Sequence, residues 1–480
     1  MAIDDIQQFI VELEKAGELK RVKSEVDTNL EIAEILRRVS YTKGPAILFE
    51  NVKDYEMPVL GNTFGSIKRL EIGLETSDFS EIGKRIADMT KMEIPSGIFN
   101  KMRKLPELSK MSESFPKLEK SGPVTEIIND SPTFDKIPIL KSWPKDAGKF
   151  ITFGLVSTKH PETGTRNLGV YRIQIIDSTH ALMHWQKHKR GAAHHDITKE
   201  SNDKIDAAII IGGEPATVFS AVAPVPEGLD KYLFAGITRK KGIKTVKCKT
   251  VDLEVPANAE IILEGHVDAA DVRDEGPFGD HTGYYTPKEP FPTFTLTGIM
   301  QRKNPVYLTT VVGKPILEDA YIGKAIERSF LPLIKMLHPE VIDFSMPPAG
   351  WFQGLAIASI KKRYPGQAKK VMMGLWGMGQ LALTKIVIIV DHDVNVHDMN
   401  EVIWAVTTRA DAARDTIIID NTPTDTLDPA SPRVNLGSKL GIDATQKTKE
   451  EGFEREIQEM VKVDDNTKKL VDSKWSSYGL

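Results

Sequence analysis

EGHVDAADVRDEGPFGDHTGYY, residues 264–285, is the stretch on which the reading of this chain turns. It concentrates the acids Glu264, Asp268, Asp271, Asp274, Glu275 and Asp280. Gly276, Pro277 and Gly279 punctuate it, and no apolar face repeats at helical or strand spacing, so it is predicted to be a loop. The turn through Gly276-Pro277-Phe278-Gly279 is expected to bring Glu275 and Asp280 near each other. Two carboxylates held close resist ionising together, and one of them can then serve as an acid. A solvated acidic surface loop is the plain alternative. Phe278, Tyr284 and Tyr285 argue instead for a segment packed into the protein.

Outward from this stretch, Arg172 lies in NLGVYRIQI, inside an otherwise apolar run. A buried arginine is costly unless carboxylates pair with it, and Glu275 and Asp280 are the natural partners. From spacing alone the trio reads equally well as a structural ion pair or as a reactive site.

Several blocks carry a family likeness, and they occur in family order: NLGVYR (167–172), MHWQKHKRGAAHH (183–195), VPEGLDKYLFAG (225–236), EGPFGDHTGYY (275–285), VIWAVTTRADAARDT (402–416) and GSKLGIDAT (437–445). Together they resemble the UbiD family of reversible decarboxylases. The resemblance implies removal of CO2 from an α,β-unsaturated or aromatic carboxylic acid, with prenylated flavin mononucleotide (FMN) as cofactor and a flavin prenyltransferase as its supplier. It also implies a catalytic network of Arg172, Glu275 and Asp280. Arg172 would hold the substrate carboxylate, Glu275 would keep Arg172 in place, and Asp280 would supply the proton that replaces CO2.

For the cofactor phosphate the resemblance implies a divalent metal, Mn2+ with K+ nearby, held by an Asn, a His and a Glu. Asn167 and His188 match the first two. Lys231 stands where the family has the acid. A protonated lysine cannot ligate Mn2+ but can neutralise phosphate directly. Asp230 and Glu227 are the neighbouring acids that a shift of register would bring in, and Lys385 is a further candidate for a phosphate contact. Two substrates are expected: 4-hydroxy-3-polyprenylbenzoate in quinone synthesis, or trans-anhydromevalonate 5-phosphate in isoprenoid biosynthesis. Lys187, Lys189 and Arg190 beside His188 tilt slightly toward the phosphorylated acid. A flavin-dependent oxidoreductase and a non-catalytic flavin-binding protein are the rival classes.

The rest of the chain supports a multidomain α/β protein. At 480 residues two or three domains are expected. Alternating helices and strands define an N-terminal α/β domain over 1–115, with helices at 4–16, 30–39 and 79–91 and strands at 19–22 and 46–52. Asp4 is the expected cap of the first helix. Residues 92–147 carry many prolines and lysines and read as a connection. Short β-branched runs fill 116–310 and predict a small barrel or sandwich; the resemblance makes it a split β-barrel like that of flavin reductases, binding the cofactor. A C-terminal α/β domain follows over 311–448, with a helix at 319–337, the apolar strand KIVIIVD at 385–391 and a helix at 399–410. The tail, 449–480, places Phe453, Ile457, Met460 and Val461 on one helical face, and with the resemblance it predicts a homo-oligomer, a dimer or a hexamer.

A net charge of −4 gives no footing for a nucleic-acid partner. The single Cys248 precludes an internal disulfide. With no signal peptide and no run of roughly 18–20 apolar residues, a cytoplasmic enzyme is expected. His180, His184 and His188 would share a helical face, as in a zinc site, but the segment also reads as a strand and turn, where that alignment is lost. GLWGMGQ (374–380) contains GxxGxG without a clear preceding strand, so a dinucleotide site there is a minor reading.

Overall fold

The computed structural model describes residues 3–90, 112–186, 191–192, 196–197, 204–225, 229–314, 317–351, 353–456 and 458–479. In the N-terminal region, helix α1 (Ile6–Lys15) buries Ile6, Phe9, Ile10 and Leu13, the positions its periodicity marks. Its cap is Asp5 rather than Asp4: the Asp5 carboxylate accepts the Gln8 N–H, while Asp4 pairs with Lys241. Helices α2 (Glu31–Tyr41), α3 (Ile67–Leu74) and α4 (Ser80–Thr90) accompany strands β1 (Leu19–Val22), β2 (Ala46–Phe49) and β3 (Val59–Gly61). A short return strand, β10 (Tyr307–Leu308), completes this four-stranded sheet next to β3.

The central region holds six long or medium strands: β4 (Phe150–Lys159), β5 (Arg166–Ile175), β6 (His180–Met183), β7 (Lys204–Ile211), β8 (Ile261–Glu275) and β9 (Glu289–Gln301). All pair antiparallel, in the order β8-β7-β4-β5-β6-β9, and β8 also pairs with β9, so the pairings return to their start. Two helices, α5 (Pro215–Val222) and α6 (Lys231–Arg239), pack on β5. The N-terminal and central regions share one core, joined for instance by Phe9 on Phe64 (ring centroids 5.6 Å apart) and Phe64 on Phe153 (5.9 Å).

The stretch from 264 to 275 corrects the loop expectation, because it continues β8 as one arm of a long hairpin with β9. Its outer half is mostly exposed, so polar residues occupy both faces and hide the alternation that a half-buried strand would display. Only 276–285 turns. There Gly276 adopts φ +93°, which L side chains rarely adopt, and a Cβ on Gly279 would lie 2.3 Å from Trp143 Cδ1.

Helix α7 (Glu318–Leu337) leads into the C-terminal sheet, which runs β11 (Val341–Ser345), β12 (Leu355–Ile360), β13 (Ile386–Asp391), β15 (Leu436–Ala444), β14 (Thr416–Pro423). Strand β13 is parallel to both neighbours and buried, as its apolar run predicts. Helices α8 (Gln367–Trp376) and α9 (Met399–Arg409) cover opposite faces and give that sheet two separate cores. GLWGMGQ lies at the end of α8 and in the turn after it, not after a strand.

The tail differs from the expectation. Helix α10 spans Asp465–Lys474, beyond Phe453, Met460 and Val461, and the last two are exposed outside any helix. The repeated acids Glu454, Glu456 and Glu459, without an apolar partner surface among the described residues, do not sustain a helix there. Ile457 lies outside the described residues.

Candidate active site

Strand β5 carries Arg172 into the protein, where its side chain is only 8% exposed. The end of β8 delivers Glu275 to it edge-on: Arg172 Nε donates to Glu275 Oε1 at 2.8 Å and Nη2 to Oε2 at 2.9 Å. The turn after β8 brings Asp280 to the other side, where its Oδ2 accepts from Arg172 Nη1. Nη2 also reaches Thr286 Oγ1 at 3.2 Å. The Phe278 ring, packed on Phe150 at 4.7 Å, lies 4.9 Å from the guanidinium carbon. The three residues singled out in the sequence thus converge, though the two carboxylates bind separate edges of one guanidinium.

His184 completes the buried cluster. Its Nδ1 is 3.2 Å from Glu275 Oε2, its ring packs on Phe291 at 4.2 Å, and its Nε2 has no partner among the described residues. Burial and then the Arg172 charge pull its pKa down, which favours the neutral ring. Burial pushes the Glu275 carboxyl up, but the His184 and Arg172 hydrogen bonds prevail and hold it down at about 2, so it is ionised. The two acids meet the Arg172 guanidinium on separate edges rather than each other. The zinc alignment dissolves. His180 sits on β6 bonded to Asp177, while His184 lies about 13 Å further along an extended chain and faces the core.

Turn geometry is supported from below by a residue that sequence reading missed. Asp146 accepts the Gly279 N–H through Oδ1 at 2.8 Å and the Trp143 N–H through Oδ2, also at 2.8 Å. His281 and Asp319 were missed as well: His281 Nδ1 lies 2.5 Å from Asp319 Oδ2, joining the turn to α7. No linear motif could have revealed that contact across 38 residues.

Arg172, His184 and Asp280 open onto a cavity of about 700 Å³ between the central region and the C-terminal sheet. Its wall is largely apolar, with Ile322, Ile326, Phe330 and Leu333 contributed by α7. This suits a planar organic cofactor and an acid with an apolar body.

The metal seat implied by the resemblance does not fit the described residues. Asn167 is buried on β5, and its amide nitrogen has no partner among them. Lys231 begins α6, and its ammonium donates to the Ala221 carbonyl at 2.8 Å, in the last turn of α5. Asp230 caps α6 by accepting the Tyr232 and Leu233 N–H groups, so a register shift toward a metal would uncap the helix. His188, Glu227, Lys187, Lys189 and Arg190 lie outside the described residues. Lys385 is bonded to both oxygens of Asp428, at 3.0 and 2.9 Å, and is not among the described residues of the cavity wall.

Family models for the N-terminal, Rift-related and C-terminal domains of 3-octaprenyl-4-hydroxybenzoate carboxy-lyase match residues 10–88, 117–315 and 320–444. The chain belongs to the UbiD family and is a decarboxylase of that class. An uncharacterized protein of Archaeoglobus fulgidus is 51% identical over 477 residues, 99% of this chain and 98% of that one. One from Aquifex aeolicus is 46% identical over 480 residues, 99% of each. Among solved structures, the vanillic acid decarboxylase of Sedimentibacter hydroxybenzoicus in its closed form superposes with TM-score 0.87 at 27% identity, covering 100% of this chain and 99% of that one. The UbiD-class enzyme HmfF from Pelotomaculum thermopropionicum, in complex with FMN, gives 0.81 at 28% identity, covering 98% and 99%. Among the described residues no helix is long and apolar enough to cross a membrane.

Proposed function

We propose that this enzyme removes CO2 from an α,β-unsaturated or aromatic carboxylic acid with prenylated FMN bound in the cavity beside Arg172. The observation that carries the reading is the buried Arg172, oriented by Glu275 and Asp280 and open to an apolar chamber. An HmfF structure with the prenylated flavin adds support, since this chain superposes on it with TM-score 0.77. The closed circuit of strand pairings supports a split β-barrel as the cofactor-binding unit.

Prenylated FMN, when bound, would supply an electron sink for the pair left by CO2. Everything else is the work of the chain. Arg172 binds the substrate carboxylate by charge-assisted hydrogen bonds, and the ionised Glu275 fixes the guanidinium plane. Phe278, Phe330 and neighbouring apolar side chains exclude water around the departing carboxylate. Asp280, on the cavity wall, hands a proton to the carbon that CO2 leaves. Asn167 and Lys231 would hold the cofactor phosphate, with the lysine charge taking the part that Mn2+ and K+ play elsewhere in the family.

The apolar wall favours 4-hydroxy-3-polyprenylbenzoate, whose tail would line α7. The cations Lys187, Lys189 and Arg190 favour trans-anhydromevalonate 5-phosphate, and competition between the two acids for one preparation separates the readings. The enzyme is further proposed to be cytoplasmic and homo-oligomeric, supplied by a flavin prenyltransferase. The test is expression with and without that prenyltransferase, with the bound flavin identified by mass and CO2 release assayed. Activity is expected only with the prenylated flavin. Full activity with unmodified FMN refutes the proposal and favours a different flavin chemistry.

A further inference from the structure

Asp280 divides its oxygens. Oδ2 accepts from Arg172; Oδ1 accepts the His281 backbone N–H at 2.7 Å and lies 3.6 Å from His281 Nε2. Across the ring, His281 Nδ1 is held by Asp319 Oδ2 at 2.5 Å. Asp319 is itself anchored, because its Oδ1 accepts the Leu317 N–H at 3.1 Å at the start of α7. The charged groups facing the ring are Asp280 from the turn, Asp319 from α7 and Asp425 from the segment after β14, and Arg172 stands behind Asp280. All of these except Leu317 line the cavity.

Both Asp280 oxygens are already engaged, one by Arg172 and one by the His281 backbone N–H. The neighbouring imidazole can hold a proton. Burial opposes its charge, but Asp319, Asp280 and Asp425 hold its pKa up to about 9. Its side chain is 28% exposed, so solvent can reload it.

We propose that His281, clamped by Asp319, stores the proton and passes it through Asp280 to the carbon that has lost CO2. The N–H bond at His281 Nε2 breaks as an O–H bond forms at Asp280. Asp280 in turn gives a proton to the carbon, where a C–H bond forms with the electron pair that CO2 left. Asp280 ends as a carboxylate and His281 as a neutral imidazole, which takes a proton from solvent before the next turnover. Because it acts through Asp280, His281 is a positioning and proton-storing residue. The inference rests on the decarboxylase reading, and its test has one arm that does not need turnover.

In that arm, the protein labelled with 15N-histidine is titrated by NMR. One imidazole is expected to stay charged through neutral pH, to lose its proton near pH 9, to vanish in His281→Gln and to titrate at least one pH unit lower in Asp319→Asn. If His281 titrates near its ordinary 6.5, the proposal is overturned whatever the activity. In the other arm, the cofactor-loaded enzyme is assayed against pH. His281→Gln is expected to lose about tenfold or more in kcat with KM nearly unchanged, and Asp319→Asn to move the basic limb of the profile to lower pH. A native kcat and pH profile in His281→Gln overturns the proposal. A native holoenzyme that decarboxylates nothing refutes the functional reading instead, and the NMR arm still decides this one.

Discussion

Replacing Glu275 by Gln removes the charge that orients Arg172 while keeping the side chain's size. The loss can be worked from the site. Glu275 is fully buried and meets three donors: Arg172 Nε at 2.8 Å, Arg172 Nη2 at 2.9 Å and the His184 ring at 3.2 Å. A glutamine amide offers one acceptor and points an N–H at a donor. The carboxyl's pKa falls from the ordinary 4.5 to about 2 against the cost of burial, a difference worth about 3 kcal/mol of folding free energy. Breaking a buried ion pair on one side costs a comparable 3–5 kcal/mol or so. The sign follows from the lowered folded-state value. The contribution is fully present above pH ~4.5 and is lost as the pH falls toward about 2. Glu275→Gln should therefore be destabilised by about 3 kcal/mol at pH 7, and the gap to the native protein should close between pH 4.5 and pH 2. The assay is urea unfolding of cofactor-free protein, followed by tryptophan fluorescence across that range. A gap as large near pH 2 as at pH 7, or no gap at pH 7, refutes the account of how Arg172 is held.

Two further outcomes are expected. Asp280→Asn should fold and bind the flavin, because the amide oxygen can still accept from Arg172, but turnover should fall about 10²-fold or more; a native rate makes Asp280 structural. Lys231→Glu should bind more Mn2+ than the native protein, as read by elemental analysis alongside flavin retention, since it restores a carboxylate and removes a charge that repels the metal; high Mn2+ in the native protein, unchanged by the substitution, rules out the lysine's proposed role at the phosphate.

Much of this protein was legible without coordinates, for local reasons. The apolar runs Ala46–Phe49 and Ile386–Asp391 become strands because buried strands are apolar on both faces. Helices α1, α4 and α9 follow their apolar periodicity to within a few residues. The likeness of separated blocks was enough to group Arg172, Glu275 and Asp280, since each lies in a motif of its own. What the chain could not disclose is whatever depends on distance through space. Residues 264–275 continue a strand because β9 pairs along them to Glu275 and β7 as far as Asp268, a pairing invisible in their own polar pattern. Glu275 and Asp280 are held on separate edges of Arg172, which lies more than a hundred residues earlier than Glu275. Asp230 is committed to a helix cap, Lys385 to Asp428, and His281 to Asp319. Local propensity is written residue by residue, but the charge state and partner of a buried group are set by what the fold packs against it, and only the tertiary structure decides that.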